Sequence, residues 1–136
     1  MDTATAQLPD GKFEIGKTFT FEAGHRLTGL PPEHKCSRQH GHSYTVEIIL
    51  TATTLQAPGF VTDFADLDPV KQFLDRTLDH HNLPDVLPIE PTSELLAQYL
   101  AGWFLQHVEP TIHGELIAVR VRETGRSWAQ FTVDRP

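Results

Sequence analysis

Residues 13–25 read FEIGKTFTFEAGH, and the fold can be predicted outward from this stretch. Apolar side chains stand at nearly every second position, which predicts a β-strand with one buried face. His25 continues that face. A second alternating run begins at His42, where the apolar residues on the shared face are Tyr44, Val46, Ile48 and Leu50. The two runs therefore predict neighbouring strands whose buried faces meet one core.

Histidines stand at the ends of both predicted strands. Residues two apart in a strand point to the same face, so His40 and His42 can converge, and His25 on an antiparallel neighbour can supply a third nitrogen. Three imidazoles with an open fourth position form the layout of a catalytic zinc site. Cys36, in the preceding loop, could be a nucleophile or base. The alternative is a chance His-Gly-His and a small buried cysteine, but the clustering of all four residues favours zinc.

The composition limits the class of protein. The chain has 136 residues, which fits a single domain over residues 11–136 after a flexible polar tail at residues 1–10. A net charge of −7 argues against nucleic-acid binding by phosphate neutralisation. The single cysteine excludes an intrachain disulfide and is typical of a reducing compartment. No apolar run is long enough for a membrane span, so we expect a cytoplasmic protein.

Helices are predicted after the first two strands. One runs from about residue 65 or 69 to residue 78, with a proline in its first turn, and a second begins after Thr92, a suitable N-cap. Two more strands follow, the first with Ile117, Val119 and Val121 on one face. The order ββααββ predicts an α+β domain whose antiparallel sheet carries two helices on one face. Its two open edges predict pairing with other subunits.

Further residues could carry chemistry. Glu123 ends an apolar strand face, where a carboxylate is either solvated or binds something specific. Asp79 could orient His80 as an acid/base group. Adjacent side chains on a helix or strand point apart, so that contact needs turn geometry. From the local sequence alone, helix-end capping by His80 and His81 is the favoured interpretation.

A set of motifs in this chain resembles the superfamily of 6-pyruvoyl-tetrahydropterin synthase and 6-carboxy-tetrahydropterin synthase. In chain order they are FTFEAGHRL, HKCSRQHGHSY, VTDFADL, LDHHNL, PTSELLA and VRVRET. The spacing between Cys36 and His-Gly-His is similar to that of the carboxy-synthase branch, which serves queuosine and other 7-deazapurine pathways. The resemblance implies the tunnelling fold (T-fold), in which subunits join their sheets into a barrel. It also implies a homo-oligomer, commonly a hexamer, with active sites between subunits.

The resemblance assigns a role to each candidate residue. Cys36 corresponds to the catalytic proton acceptor, and Asp79 and His80 match a second acid/base relay. Glu123 matches the glutamate that anchors the pterin ring. The implied cofactor is Zn2+, and its ligands correspond to His25, His40 and His42.

The reaction implied by the resemblance is conversion of 7,8-dihydroneopterin triphosphate to 6-carboxy-5,6,7,8-tetrahydropterin, with loss of acetaldehyde and triphosphate. Arg26, Lys35 and Arg38 are candidates to bind the triphosphate, against the simpler reading of solvated charges. The nearest alternative is a 6-pyruvoyl-tetrahydropterin synthase or a side-chain-cleaving lyase. A non-catalytic zinc- or pterin-binding module is an alternative of another class. After Glu123 the sequence diverges from the family, so later contacts cannot be carried over.

Overall fold

Four antiparallel strands form one sheet in chain order. The computed structural model describes residues 6–25, 27, 29–35 and 40–135, and for His25 and His40 it describes the backbone alone. The strands are β1 (Phe13–His25), β2 (His40–Ala52), β3 (Glu115–Glu123) and β4 (Ser127–Thr132), with β1 and β4 at the two edges. Along the chain, the helical segments come between β2 and β3. This order confirms the predicted ββααββ arrangement.

The first predicted helix consists of three consecutive helical types. A 3-10 turn, Phe64–Leu67, begins after Asp63, whose side chain accepts a hydrogen bond from the Ala65 amide at 3.0 Å. The helix α1 (Asp68–Phe73) follows, with proline in its first turn, and a π-helical turn, Leu74–Leu78, completes the segment. The segment ends at residue 78, as predicted.

The second predicted helix is observed as Ser93–His107, and it begins after Thr92 as predicted. It is labelled α3 because a short helix, α2 (Leu83–Val86), precedes it. The Thr92 hydroxyl accepts a hydrogen bond from the Leu95 amide at 3.1 Å. Two short pieces were not predicted, namely α2 (Leu83–Val86) and the 3-10 turn Glu109–Thr111. Each is about one turn long, which is too short for hydrophobic periodicity to reveal.

The core lies between one face of the sheet and the helices. Alternate residues are buried from Phe19 to Ala23 in β1 and from Tyr44 to Leu50 in β2, as their patterns predicted, whereas Phe13 at the start of β1 is exposed. Both helical segments cover this same face, because residues from both line the inner side of β2. The residues in contact there are Val46, Ile48, Val70, Phe73, Leu74, Leu100, Trp103 and Phe104. The prediction of two helices on one face of an antiparallel sheet is therefore confirmed.

One strand departs from the predicted alternation. The pairing of β2 with β3 shifts between Ile49 and Leu50, which places an extra residue, Ile117, in β3. Leu116 is fully buried, whereas Ile117 is only half-buried. The predicted face of β3 is therefore wrong at Ile117 and right from Val119 onward. A β-bulge causes this change, since one inserted residue reverses the alternation on one side of it.

We expect Gly114→Ala to destabilise the fold. A Cβ at Gly114 would lie 2.9 Å from Thr62 Oγ1 and 3.0 Å from Val61 Cγ1. Thr62 is buried, and its Oγ1 accepts a hydrogen bond from the Gly114 amide at 2.9 Å, so it cannot move without losing that bond. The free energy of unfolding, measured by urea denaturation, should fall by about 1–3 kcal/mol.

The matched control for that variant is Gly102→Ala in α3. A Cβ at Gly102 meets nothing within 4 Å. Alanine is a better helix former than glycine, so this change should stabilise the protein by about 0.5–1 kcal/mol. A Gly114→Ala protein as stable as the wild type would contradict the packing argument.

Two of the expectations concern the N-terminal tail and the possibility of a membrane span. Residues 6–12 precede β1 and are exposed. The flexible tail at residues 1–10 and the domain boundary after it stay predictions. Among the helices that the structure describes, none combines the length and apolar character needed to cross a membrane.

Candidate active site

The segment that follows the first helices lies along the free edge of β1. The His80 amide donates to the Glu22 carbonyl at 2.6 Å, and the Gly24 amide donates to the His81 carbonyl at 3.0 Å. Gly24 also forms a parallel bridge with Asn82. Residues 79–82 are thereby fixed beside the end of β1 at which His25 stands.

Asp79 and His80 form a hydrogen-bonded pair. His80 has a φ of +58°, in the left-handed region, and this supplies the turn geometry that adjacent side chains need to meet. Its Nδ1 donates to Asp79 Oδ2 at 2.8 Å. The His81 Nδ1 donates to the Asp79 carbonyl at 2.8 Å, which caps the helical segment. The capping interpretation therefore holds for His81, whereas the ring of His80 pairs with Asp79.

The hydrogen bonds to Asp79 lead to a prediction of how the stability of the fold depends on pH. The hydrogen bond from the Glu22 amide lowers the pKa of Asp79, and the hydrogen bond and charge of His80 lower it further. A carboxyl group whose pKa is lowered by folding stabilises the fold at pH values above the pKa that the group has in the unfolded chain. This stabilisation is lost as the pH falls through the lower pKa of the folded protein.

We therefore expect Asp79→Asn to destabilise the protein near neutral pH and to matter less in acid. The difference in melting temperature between wild type and Asp79→Asn should shrink as the pH falls below about 4. Thermal melts of both proteins at pH 7 and pH 3 measure it. A difference of the same size at both pH values would contradict this prediction.

The backbone brings the three predicted zinc ligands to neighbouring positions. His25 is the cross-strand partner of His40, and His42, two residues along β2, is the partner of Ala23. The Cα atoms of such partners are about 4.5–5.5 Å apart, which suits ligands of one metal ion. The side chain of His42 is 17 % exposed, and both of its ring nitrogens are shielded from solvent.

A cleft of about 530 Å³ opens beside these residues. The walls come from β1, β2, the segment 79–82 and the turn after β3. The lining residues with polar side chains include Glu22, His42, Ser43, His80, His81 and Thr124. His42 and His80, which are far apart in the chain, therefore both contribute to the lining of one cavity.

Glu123 lines a second pocket and lies close to His42, which belongs to the lining of the cleft. The pocket has a volume of about 320 Å³, and its lining includes Glu123, Thr92 and Trp128. The Ser93 hydroxyl donates to Glu123 Oε1 at 2.8 Å, and Glu123 Oε2 lies 3.5 Å from His42 Nε2. Of the two alternatives for Glu123, a solvated strand end does not fit, because the side chain is 24 % exposed and held by a tertiary contact.

The structure brings together four of the seven predicted site residues. They are His42, Asp79, His80 and Glu123. Cys36 lies outside the described residues, as do the side chains of His25 and His40. Of the three candidate phosphate-binding residues, Lys35 is exposed, and Arg26 and Arg38 lie outside the described residues.

Sequence reasoning missed several polar residues of the site, among them Glu22, Ser43 and Ser93. Glu22 and Ser43 alternate with buried residues, so their pattern indicates an ordinary solvated face. Ser93 follows the N-cap residue of α3, and that position gave no sign of a contact with Glu123. The nearness of Glu22 to the predicted metal motif was the one signal available.

Comparison with known proteins gives a match over nearly the whole chain. The family model described as 6-pyruvoyl tetrahydropterin synthase matches residues 14–134. The chain belongs to this family. A curated relative from Aquifex aeolicus, named 6-carboxy-5,6,7,8-tetrahydropterin synthase, is 30 % identical, with 88 % of this chain and 98 % of the relative covered. A Synechocystis protein of the same name is 37 % identical, with 86 % and 91 % covered.

Solved structures agree with the fold described above. The 6-pyruvoyl tetrahydropterin synthase of Caenorhabditis elegans superposes with a TM-score of 0.78 at 23 % identity, covering 94 % of this chain and 100 % of that one. An uncharacterised protein of Wolinella succinogenes gives a TM-score of 0.78 at 25 % identity, covering 90 % and 99 %. The predictions of the α+β tunnelling fold and of the family are confirmed.

Proposed function

We propose that this chain is a 6-carboxy-5,6,7,8-tetrahydropterin synthase. Its reaction would convert 7,8-dihydroneopterin triphosphate and one water molecule to 6-carboxy-tetrahydropterin, acetaldehyde and triphosphate. The observation that carries the proposal is the approach of Glu123 to His42, beside the cleft that is lined by His80, the hydrogen-bonded partner of Asp79. Relatives that bear this enzyme name, at 30 % and 37 % identity over most of the chain, support the choice of substrate.

The two cavities suggest how the substrate is divided between them. In the smaller pocket, the Glu123 carboxylate, oriented by Ser93, can accept hydrogen bonds from N–H groups of a pterin ring. The substituent of the ring would then pass His42 and enter the larger cleft. There Asp79 holds the Nδ1 proton of His80, so the Nε2 atom of His80 is left to exchange protons with the substrate.

Zn2+ is part of the proposal, with His25, His40 and His42 as ligands. Imidazole is a preferred zinc ligand, and the register of β1 and β2 places the three backbone positions side by side. When bound, zinc supplies a Lewis acid that polarises hydroxyl groups of the substrate side chain. Cys36 is proposed as the proton acceptor that complements His80, on the strength of the family resemblance.

A turnover assay tests the function directly. Zinc-loaded protein is incubated with 7,8-dihydroneopterin triphosphate, and the product masses are read. A 6-carboxy-tetrahydropterin product with acetaldehyde supports the proposal. A pyruvoyl product would instead favour the second candidate, 6-pyruvoyl tetrahydropterin synthase, the name that the matching family model carries. No turnover, with one zinc bound per chain, would favour the binding module.

We expect Cys36→Ala to abolish turnover while leaving the zinc content at one ion per chain. A thiolate is the reactive form of cysteine, and a nearby cation favours it, whereas alanine cannot accept a proton. Metal analysis and turnover are measured on the same preparation. Activity like that of the wild type would contradict the role given to Cys36.

Three further parts of the proposal concern the cellular setting. A homo-oligomer is supported by the edge strands β1 and β4 and by exposed aromatic residues on or beside them, Phe13, Phe64 and Trp128. Light scattering gives its size.

A cytoplasmic location is supported by the single cysteine. A role in queuosine biosynthesis rests on the spacing of the cysteine motif, and the queuosine content of tRNA in a deletion strain tests it.

A further inference from the structure

Glu22 lines the larger cleft and belongs neither to the proposed zinc ligands nor to the proposed acid/base groups. Ser43 is its cross-strand partner. The Ser43 hydroxyl lies 2.9 Å from Glu22 Oε1 and 2.7 Å from Glu22 Oε2. A single hydroxyl proton shared by two carboxylate oxygens orients the group and leaves most of its acceptor capacity unused.

The backbone of Glu22 is bound to the Asp79–His80 pair on both sides. Its amide donates to Asp79 Oδ1 at 2.8 Å, and its carbonyl accepts from the His80 amide at 2.6 Å. Since β1 is a strand of the sheet, these bonds fix the base of the Glu22 side chain relative to the imidazole of His80. Glu22 and His80 both line the larger cleft, so a ligand that fills this cleft meets both of them.

The charge of Glu22 restricts what this wall can bind. Among the described residues that line the cleft, with histidines counted as neutral, Glu22 is the only one with a formal charge. An ionised carboxylate only accepts hydrogen bonds, and it repels phosphate. The wall therefore suits a hydrogen-bond donor without negative charge, and an aliphatic hydroxyl is such a donor.

We propose that Glu22 is a specificity-determining residue that accepts a hydrogen bond from a hydroxyl of the substrate side chain, next to the group on which His80 acts. Ser43 holds the carboxylate in the required orientation. The inference rests on the proposed function, because it assumes a pterin with a hydroxylated side chain. It also implies that the triphosphate lies away from the Glu22 carboxylate.

The test compares two ligands that differ in the side chain, 7,8-dihydroneopterin and 6-methyl-7,8-dihydropterin. Zinc-loaded wild type should bind the hydroxylated ligand more tightly in a fluorescence titration. In Glu22→Ala this preference should fall about tenfold, the effect of losing one hydrogen bond to a charged acceptor at an exposed site. Ser43→Ala should lose a smaller part of it. The KM for the triphosphate substrate should rise by about the same factor as the preference falls, while kcat changes little.

Matched variants separate this role from a structural one. Glu22→Gln keeps the shape of the side chain and should lose part of the preference if Glu22→Ala fails to fold. Glu14→Ala changes an exposed glutamate at the other end of β1 and should behave like the wild type. An unchanged preference in Glu22→Ala and Glu22→Gln, or equal weakening of both ligands, would overturn the inference. A wild type that shows the preference but does not turn over the triphosphate would overturn the proposed function alone.

Discussion

Replacing His42 with alanine is expected to remove the zinc and to lower turnover by about 10³-fold. His42 is the one proposed ligand whose side chain the structure describes, and it is mostly buried between the Tyr44 ring and Glu123. Alanine leaves two ligands, too few for a stable zinc site. Loss of the Lewis acid removes several kcal/mol of transition-state stabilisation, and each 1.4 kcal/mol is about tenfold in rate.

The measurement is the zinc-to-protein ratio after dialysis, together with kcat. His113→Ala is the matched control, because His113 is exposed and its ring contacts the Thr54 carbonyl at the opposite end of β2. It should keep one zinc per chain and full activity. Stoichiometric zinc in the His42→Ala protein would remove His42 from the proposed ligand set.

We expect His80→Asn to lower kcat by about 10²–10⁴-fold, the usual contribution of a general acid or base. Asparagine is chosen because it tolerates the left-handed backbone at position 80 better than most residues. The fold and the zinc site should survive, because the imidazole is 80 % exposed and the segment is held to β1 by backbone hydrogen bonds. The effect should therefore appear in kcat at unchanged zinc content.

The comparison variant is His81→Asn, which alters the adjacent ring. His81 donates to the Asp79 carbonyl and has no hydrogen bond to the Asp79 carboxylate among those found in the described part of the chain. Its kcat should stay within about tenfold of the wild type. If His81→Asn lost more activity than His80→Asn, the acid/base role would belong to His81.

Several parts of the site could be predicted because they depend on short periodic patterns. A two-residue repeat predicted β1 and β2, and the same repeat placed His40 and His42 two apart on a strand beside His25. N-cap chemistry predicted the start of α3 at Thr92. The family resemblance then assigned Asp79, His80 and Glu123 to roles that local patterns left open.

Other features could not be predicted, because they join residues far apart in the chain. The β-bulge at Ile117 depends on how β2 pairs with β3, which neither strand encodes by itself. The left-handed backbone at His80, which lets its ring reach Asp79, is stabilised by hydrogen bonds to the edge of β1 on both sides of the turn. The expectation that Ile117 lies on the buried face of β3 was wrong because of this bulge, which the sequence of β3 does not reveal.

The amino-acid sequence by itself therefore determined the order of the main elements, the buried face of β2 and most of that of β1, and the positions of the candidate ligands, since alternation and capping act over a few residues. Only the tertiary structure decided which polar groups meet. It brought Ser93 to Glu123, Glu123 to His42 and Glu22 to Asp79. Those contacts follow from the packing of helices on the sheet and from strand register, where the geometry of the whole core, rather than local preference, sets the distances.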